Sequence, residues 1–237
     1  MKLGLDLSLT DEATALTWQP SDEADCVGWY KYNTGFTTVS DNVSEWADQS
    51  GNGNDATQTD AANRPALEEH SRVVFDGDET PGGDPDHLDI PQLTIAGDLT
   101  IGVSMNLNEA GGVLLGDNTT SNEFIRFTAT QELRIRNTGN TAINIDLLAG
   151  NSFVDSGFMV LTRGTFFGLN NMWRLYWNGV LQNINQLADT CLFDAIGVRK
   201  PTNNPLNGNI YELSIFTSAS DALIDNLNSR LGSIPRK

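Results

Sequence analysis

Short segments of alternating apolar and polar residues, separated by turn residues, are the feature that most limits how this chain can fold. The longest, 99–107, alternates over its whole length, and 133–136 does the same. A period of two predicts strands with one buried and one exposed face. Asn178-Gly179 suits a two-residue hairpin turn between two such segments. Further strands are predicted at 27–32, 72–75, 124–128, 143–147, 158–162, 173–177, 180–182, 195–199 and 210–216.

A helix is predicted only near the C-terminus. Ser218 followed by Asp221 resembles a capping box, and Gly232 with Pro235 supplies a stop. One apolar face is formed by Leu223, Leu227 and Leu231. Although 237 residues allow one large domain or two small ones, a single core uses all of these elements. We therefore predict an all-β sandwich of two antiparallel sheets with a short C-terminal helix.

The charge of the chain excludes some partners. Fourteen basic against 31 acidic residues give a formal charge of -17, which repels nucleic acid and anionic membrane surfaces. The N-terminal residues lack the apolar run of a secretion signal, so we expect synthesis in the cytoplasm. Cys26 and Cys191 match no metal spacing and are interpreted as ordinary thiols, with a disulfide between them as the alternative.

The N-terminal segment has a strand pattern of its own. Leucines alternate there with polar or small residues, and an acidic stretch with a proline at 19–25 follows as a linker. We predict an arm with its linker over 1–25 and the sandwich over 26–237. Either the arm docks on another chain by strand addition, or it folds back on its own sandwich. The alternating residues are Leu3, Leu5, Leu7 and Leu9.

A series of motifs in the body of the chain resembles a known family. The segment EWADQSGNGNDATQ at 45–58 is followed by VFDG at 74–77, RLYWNG at 174–179 and NGNIYE at 207–212. Together they are similar to the laminin-G-like modules of the concanavalin A-like jelly-roll fold, found in bacterial surface proteins and in structural proteins of tailed phages, marine ones in particular. The resemblance covers about residues 26–231. It implies two packed antiparallel sheets, a concave face that binds sugar in some relatives, and a calcium ion near a sheet edge in others.

The oxygen-rich loop within 45–58 is a candidate metal site. Asp48, Ser50 and Asn52 alternate as in the first half of an EF-hand, but Thr59 stands where its bidentate glutamate belongs, and no helix flanks the loop. The EF-hand is therefore rejected. A structural Ca²⁺ site shared between distant strands stays open, with a simple hydrogen-bonded turn as the alternative. Its candidate ligands are Asp48, Asn54, Asp76 and Glu212.

Aromatic side chains suggest a sugar platform, because ring faces stack on pyranose rings. Trp46 and Tyr176 are the candidate glycan-binding residues, whereas Trp173 and Trp177 share one strand face and are assigned to the core. The chain lacks the closely spaced carboxylates with which relatives of this fold cleave β-glucans. No catalytic residue is therefore predicted.

Two functions follow from these observations. The favoured one is a non-enzymatic structural, decoration or tail-associated protein of a phage virion. It would be made in the host cytoplasm and would contact other virion proteins, or further copies of itself, through the arm. The alternative is a lectin module that binds host or surface glycans. Neither hypothesis requires a cofactor.

Overall fold

The computed structural model describes residues 18–78, 85–120, 122–188, 190–199 and 204–236. This part of the chain contains seventeen strands, one α-helix and two short 3₁₀ helices, Pro20–Asp22 and Ala61–Asn63. The strands are β1 (Cys26–Tyr30), β2 (Phe36–Val39), β3 (Asn42–Trp46), β4 (Ala56–Thr57), β5 (Ala66–Glu68), β6 (Arg72–Asp76), β7 (Leu88–Ile95), β8 (Leu99–Leu107), β9 (Val113–Asp117), β10 (Asn122–Ala129), β11 (Glu132–Arg136), β12 (Ala142–Asp146), β13 (Gly157–Phe166), β14 (Leu169–Trp177), β15 (Val180–Gln186), β16 (Cys191–Ile196) and β17 (Asn207–Phe216). The helix is α1 (Asp221–Gly232).

The strands form two antiparallel sheets. The first has the order β6, β17, β8, β13, β14, β15, and β1 pairs with the second half of β17. The second has the order β2, β3, β4, β7, β16, β9, β10, β11, β12. The short strand β5 links the two, since it pairs with β6 and also with β3. These pairings give the predicted all-β sandwich.

The apolar faces of the two sheets form one core. Trp173 and Trp177 lie within it, 0% and 2% exposed, which confirms their assignment to the core. Strand β8 has the predicted bounds. Strand β16 lies earlier than the predicted 195–199, because Gly197 turns the chain with a φ of +93° directly after it.

The helix α1 covers the outer face of the first sheet. Its buried residues include the predicted leucine face, and they pack on Trp29, Phe158 and Tyr211. The N-cap is Ser220 and not the predicted Ser218, because the Ser220 hydroxyl accepts the N–H of Leu223 at 3.0 Å. The helix ends at Gly232, as predicted.

Two further predictions concern the cysteines and the N-terminal arm. Cys26 and Cys191 are both buried and are not joined in a disulfide, which confirms the interpretation as ordinary thiols. Burial raises the pKa of the Cys26 thiol to about 12. Trp18 packs against the α1 cluster. The leucines of the arm, Leu3, Leu5, Leu7 and Leu9, lie outside the described residues. In the described part, no helix combines the length and the apolar character needed to cross a membrane.

Candidate ligand groove

The Asp48 carboxylate organises its own loop. Its Oδ1 accepts the backbone N–H of Trp29 and of Ser50, each at 2.8 Å. Its Oδ2 accepts the Ser50 hydroxyl at 2.7 Å and the N–H of Asn54 at 3.0 Å. A carboxylate with four donors has its lone pairs occupied. This is the hydrogen-bonded turn that the sequence offered as the alternative to a metal site.

The two asparagines of the same loop attach it to β1. The Asn52 Nδ2 donates to the carbonyl of Cys26 at 2.7 Å, and the Asn54 Nδ2 donates to the carbonyl of Val27 at 2.6 Å. The Tyr30 hydroxyl in turn donates to the Asn54 carbonyl at 2.7 Å. The conspicuous motif at 45–58 therefore fixes the loop onto the first sheet.

Glu212 is buried in β17, 0% exposed, and its carboxylate is fully partnered. Arg230 of α1 donates to both of its oxygens, with the Nη2–Oε2 distance at 2.9 Å. The Trp29 indole N–H and the Tyr32 backbone N–H donate to it as well, at 3.1 and 3.0 Å. Removing one partner of such a buried pair is strongly destabilising, by roughly 3 to 5 kcal/mol. Glu212 thus joins the helix, the sheet and the chain after β1.

Asp76 contacts a second carboxylate instead of the other predicted ligands. Its backbone N–H donates to Asp86 Oδ2 at 3.2 Å, and the Asp86 N–H donates to Asp76 Oδ1 at 3.3 Å. Burial, and then the negative charge of Asp76, raise the pKa of Asp86 to about 7. The described residues contain no group of three or more His, Cys, Asp or Glu side chains able to hold a metal ion. Asp48, Asp76 and Glu212 therefore do not form one cation site.

His87 is buried, although acidic residues and a proline surround it in the sequence. It is 4% exposed. Its Nδ1 lies 2.9 Å from the carbonyl of Pro85, and its Nε2 lies 3.0 Å from the Gln58 amide nitrogen. The Gln58 amide nitrogen also donates to the His87 backbone carbonyl at 3.3 Å. His87 is thus engaged in the interior.

Neither of the two predicted sugar-stacking residues, Trp46 and Tyr176, has a fully exposed ring. Trp46 is 0% exposed and packs against the rings of Tyr30 and Phe36, with centroids 5.7 and 5.2 Å away. Because both of its faces are covered, a sugar cannot stack on it, and this expectation is corrected. Tyr176 is half-buried on the outer face of the first sheet, where it packs against the α1 cluster.

A groove that the sequence did not reveal lies beside the segment that connects β1 to β2. It consists of two adjoining hollows of about 290 and 300 Å³, which share Asn33. One wall is the chain that leads from β1 into β2, and the other is the hairpin turn between β5 and β6. The first hollow is lined by Tyr32, Asn33, Glu69, Ser71, Tyr211 and Pro235, and the second by Asn33, Thr34, Gly35, Phe36, Thr38, Leu67 and His70.

Hydrogen bonds from residues behind it fix the wall between β1 and β2. The Trp46 indole N–H lies 3.2 Å from the carbonyls of both Lys31 and Thr34. The Tyr32 N–H is bound by Glu212, and the Gly35 carbonyl accepts the N–H of the residue after Trp46 at 2.8 Å. Trp46 and Glu212 therefore position this wall. Both were singled out in the sequence, but for other roles.

The opposite wall has a backbone that its residues do not favour. Glu69 and His70 are the central residues of a four-residue turn closed by the Ser71 N–H on the Glu68 carbonyl at 3.0 Å. Their φ angles are +52° and +56°, as a type I′ turn requires, and such turns prefer Asn and Gly. A left-handed backbone costs other residues about 1 to 2 kcal/mol each. Both side chains are exposed, so burial does not offset this cost.

The groove combines an apolar surface with hydrogen-bonding groups. Tyr32 and Phe36 are half-buried rings on one wall, and Asn33, Glu69 and His70 are exposed polar groups around them. Aromatic rings beside a few polar groups are the usual arrangement at a site for a small polar ligand. No spacing in the sequence connects these residues. The unusual Glu-His pair just before the predicted strand at 72–75 was the one available signal.

Comparison with known protein families and with curated proteins finds no match to this sequence. In fold, the chain is similar to the binding domain of botulinum neurotoxin DC in complex with SialylT, with a TM-score of 0.55, 14% identity and 90% of this chain covered. It is also similar to a structure of botulinum neurotoxin type C described with two ganglioside molecules, with a TM-score of 0.54, 15% identity and 89% covered. The chain spans about half of each toxin chain, 52% in both cases.

A third similar structure is the CBM40 module of the Ruminococcus gnavus IT-sialidase bound to α2,3 sialyllactose. It has 20% identity and covers 58% of this chain and 84% of that one, but its TM-score of 0.45 is too low to support an argument. At the identities of the two toxin domains, the likeness concerns the fold alone. The fold class is a jelly-roll sandwich of two antiparallel sheets, as predicted.

Proposed function

We propose that this chain is a non-enzymatic glycan-binding module whose ligand occupies the groove between Tyr32 and the Glu69-His70 turn. The observation that carries the proposal is the turn itself, since two exposed side chains are kept there in a backbone that disfavours them. Strain of this kind concentrates at ligand sites. The half-buried ring of Tyr32 on the facing wall supplies a surface on which a pyranose can stack.

The fold comparison supports the same proposal at a coarse level. The two toxin structures of similar fold are described with SialylT and with gangliosides, which are carbohydrate ligands. Since folds host many functions, this likeness supports the class of ligand and not the site. The groove supplies the site.

A glycan array tests this proposal, run with and without Ca²⁺ because the family resemblance implies a calcium ion in some relatives. The wild-type protein should bind a defined subset of glycans, and Tyr32→Ala should lower the signal at least tenfold because it removes the ring from the groove. Tyr176→Ala is the matched control, since Tyr176 is also half-buried and packs against the same α1 cluster as Tyr32, but is not among the groove-lining residues. It should leave binding unchanged.

Two results would reject this assignment. Loss of binding in Tyr176→Ala but not in Tyr32→Ala would move the site to the outer face of the first sheet. Absence of binding to every glycan, with and without Ca²⁺, would reject the function itself. Thermal unfolding of both variants shows whether each remains folded.

We keep the virion role as a second proposal, because a glycan-binding module can also be part of a particle. The alternating leucines at 3–9 support it, since a seven-residue amphipathic strand pattern needs a surface to cover its apolar face. Deletion of residues 1–10 should abolish self-association, or attachment to a phage particle, and should leave glycan binding intact. Unchanged assembly after the deletion would contradict a docking role for the arm.

A further inference from the structure

The described residues that line the groove include one carboxylate. Glu69 is the only acidic residue among the described residues that line its two hollows, and neither lysine nor arginine lines them. Apart from His70, the other lining side chains carry no charge. A ligand in the groove therefore meets a fixed negative charge at Glu69, within a chain whose formal charge is -17.

Three cations, Lys31, Arg72 and Arg236, directly adjoin groove residues in sequence, and each contacts other protein groups. Arg236 donates to the Leu231 carbonyl at 2.8 Å. The Arg72 guanidinium lies 2.7 Å from Glu68 Oε2, and hydrogen bonds to Tyr211 and Glu68 raise its pKa. The Lys31 ammonium lies 4.9 Å from the Trp29 ring centroid and 3.4 Å from Gln19 Oε1. Each positive charge is thus held against protein groups, although Tyr211, which is one partner of Arg72, itself lines the groove. Among the described lining side chains, the negative charge comes from Glu69.

We propose that the groove selects neutral glycans over glycans that carry a carboxylate, and that Glu69 is the residue responsible. A sugar hydroxyl that donates to a carboxylate makes a charge-assisted hydrogen bond, which is stronger than a neutral one. A sialic or uronic acid would instead place its carboxylate near that of Glu69, and the net charge of the chain adds to the repulsion. This inference rests on the proposed glycan-binding function.

The test uses an array of oligosaccharide pairs that differ only by a terminal sialic acid. The wild-type protein should bind the neutral member at least tenfold more strongly, and Glu69→Gln should reduce this ratio at least threefold because it removes the charge and keeps the shape. Asp146→Asn is the matched control, since it removes one exposed negative charge on β12. It should leave the ratio unchanged.

The outcomes separate this inference from the proposed function. Equal or stronger binding of the sialylated members by the wild type would overturn the selectivity and leave glycan binding standing. An unchanged ratio in Glu69→Gln would overturn the role of Glu69. If neither member of any pair binds, the proposed function fails first. Glu69→Asn, which suits the turn, gives a second variant without the long carboxylate side chain if Glu69→Gln unfolds.

Discussion

Two hairpin turns of this protein share one backbone shape and differ in what their side chains do. Asn178-Gly179 joins β14 to β15 with φ angles of +49° and +79°, and Glu69-His70 joins β5 to β6 with +52° and +56°. Asn-Gly is the pair that such a turn favours, whereas Glu-His is not. The first turn is explained by folding alone. The second keeps two exposed side chains at a cost in stability, and these side chains line the groove.

The largest expected effect is at the turn that serves the fold. Asn178→Ala combined with Gly179→Ala should destabilise the protein by about 2 to 3 kcal/mol, because both new residues strain a left-handed backbone. The Asn178 Oδ1 also accepts the N–H of Phe158 at 3.0 Å, a bond the change removes. Urea unfolding measures the loss. Unchanged stability would show that this geometry imposes little cost, and the argument about the other turn would fail with it.

The converse change at the groove should stabilise the protein. Replacing Glu69 by Asn and His70 by Gly should raise the free energy of unfolding by about 1 to 2 kcal/mol, because the new pair fits the type I′ turn. The same double variant should lose glycan affinity, measured by isothermal titration calorimetry with the strongest ligand from the array. A loss of stability, or unaltered affinity, would remove the functional explanation for this turn.

A third hairpin turn gives an intermediate case. Phe167-Gly168 joins β13 to β14 with φ angles of +56° and +77°, and Phe167 is 79% exposed. Because an aromatic residue is strained in this region and is not buried here, Phe167→Asn should stabilise the protein by about 1 kcal/mol. Glycan binding should not change, because Phe167 is not among the groove residues. The melting temperature and the array signal together check this prediction.

The smallest expected effect concerns Asp86, a buried carboxyl group whose ionised form destabilises the folded protein. Its pKa is raised from the ordinary value of 3.8 to about 7 in the folded protein. The folded state therefore binds the proton more tightly, and this group lowers stability as the pH rises from about 4 through 7. The full pKa difference corresponds to about 4 kcal/mol, but partial solvent access to the carboxyl screens much of it. Asp86→Asn should therefore stabilise the protein by about 1 kcal/mol at pH 8 and have almost no effect near pH 4. An equal effect at both pH values would contradict the raised pKa.

Much of the fold could be predicted because strand patterns are local. The alternation at 99–107 predicted both ends of β8, and Asn178-Gly179 predicted the hairpin between β14 and β15. Both signals depend on neighbouring residues. The N-cap of α1 was placed two residues early, at Ser218. A serine is equally suitable at either position until the tertiary fold determines which hydroxyl faces the helix N–H groups.

The candidate site could not be predicted in the same way. Trp46 is a candidate glycan-binding residue in the sequence, but the sequence does not reveal that both of its ring faces are covered. Nor does it reveal that the indole N–H binds the backbone of the loop beside the groove. Glu212 was grouped with the metal candidates, although it is paired with Arg230 of the helix. The groove depends on contacts between segments far apart in the chain. Only the folded chain brings Tyr32 opposite Glu69.

The most direct test of the central claim is an NMR titration of the isotope-labelled protein with the strongest neutral glycan from the array. The account predicts that amide shifts change first and most at residues 32–35 and 69–71, the two walls of the groove. It also predicts that the Asn178-Gly179 turn does not respond. Shift changes confined to Tyr176 and α1, or to the loop at 48–54, would contradict the assignment of the groove as the ligand site.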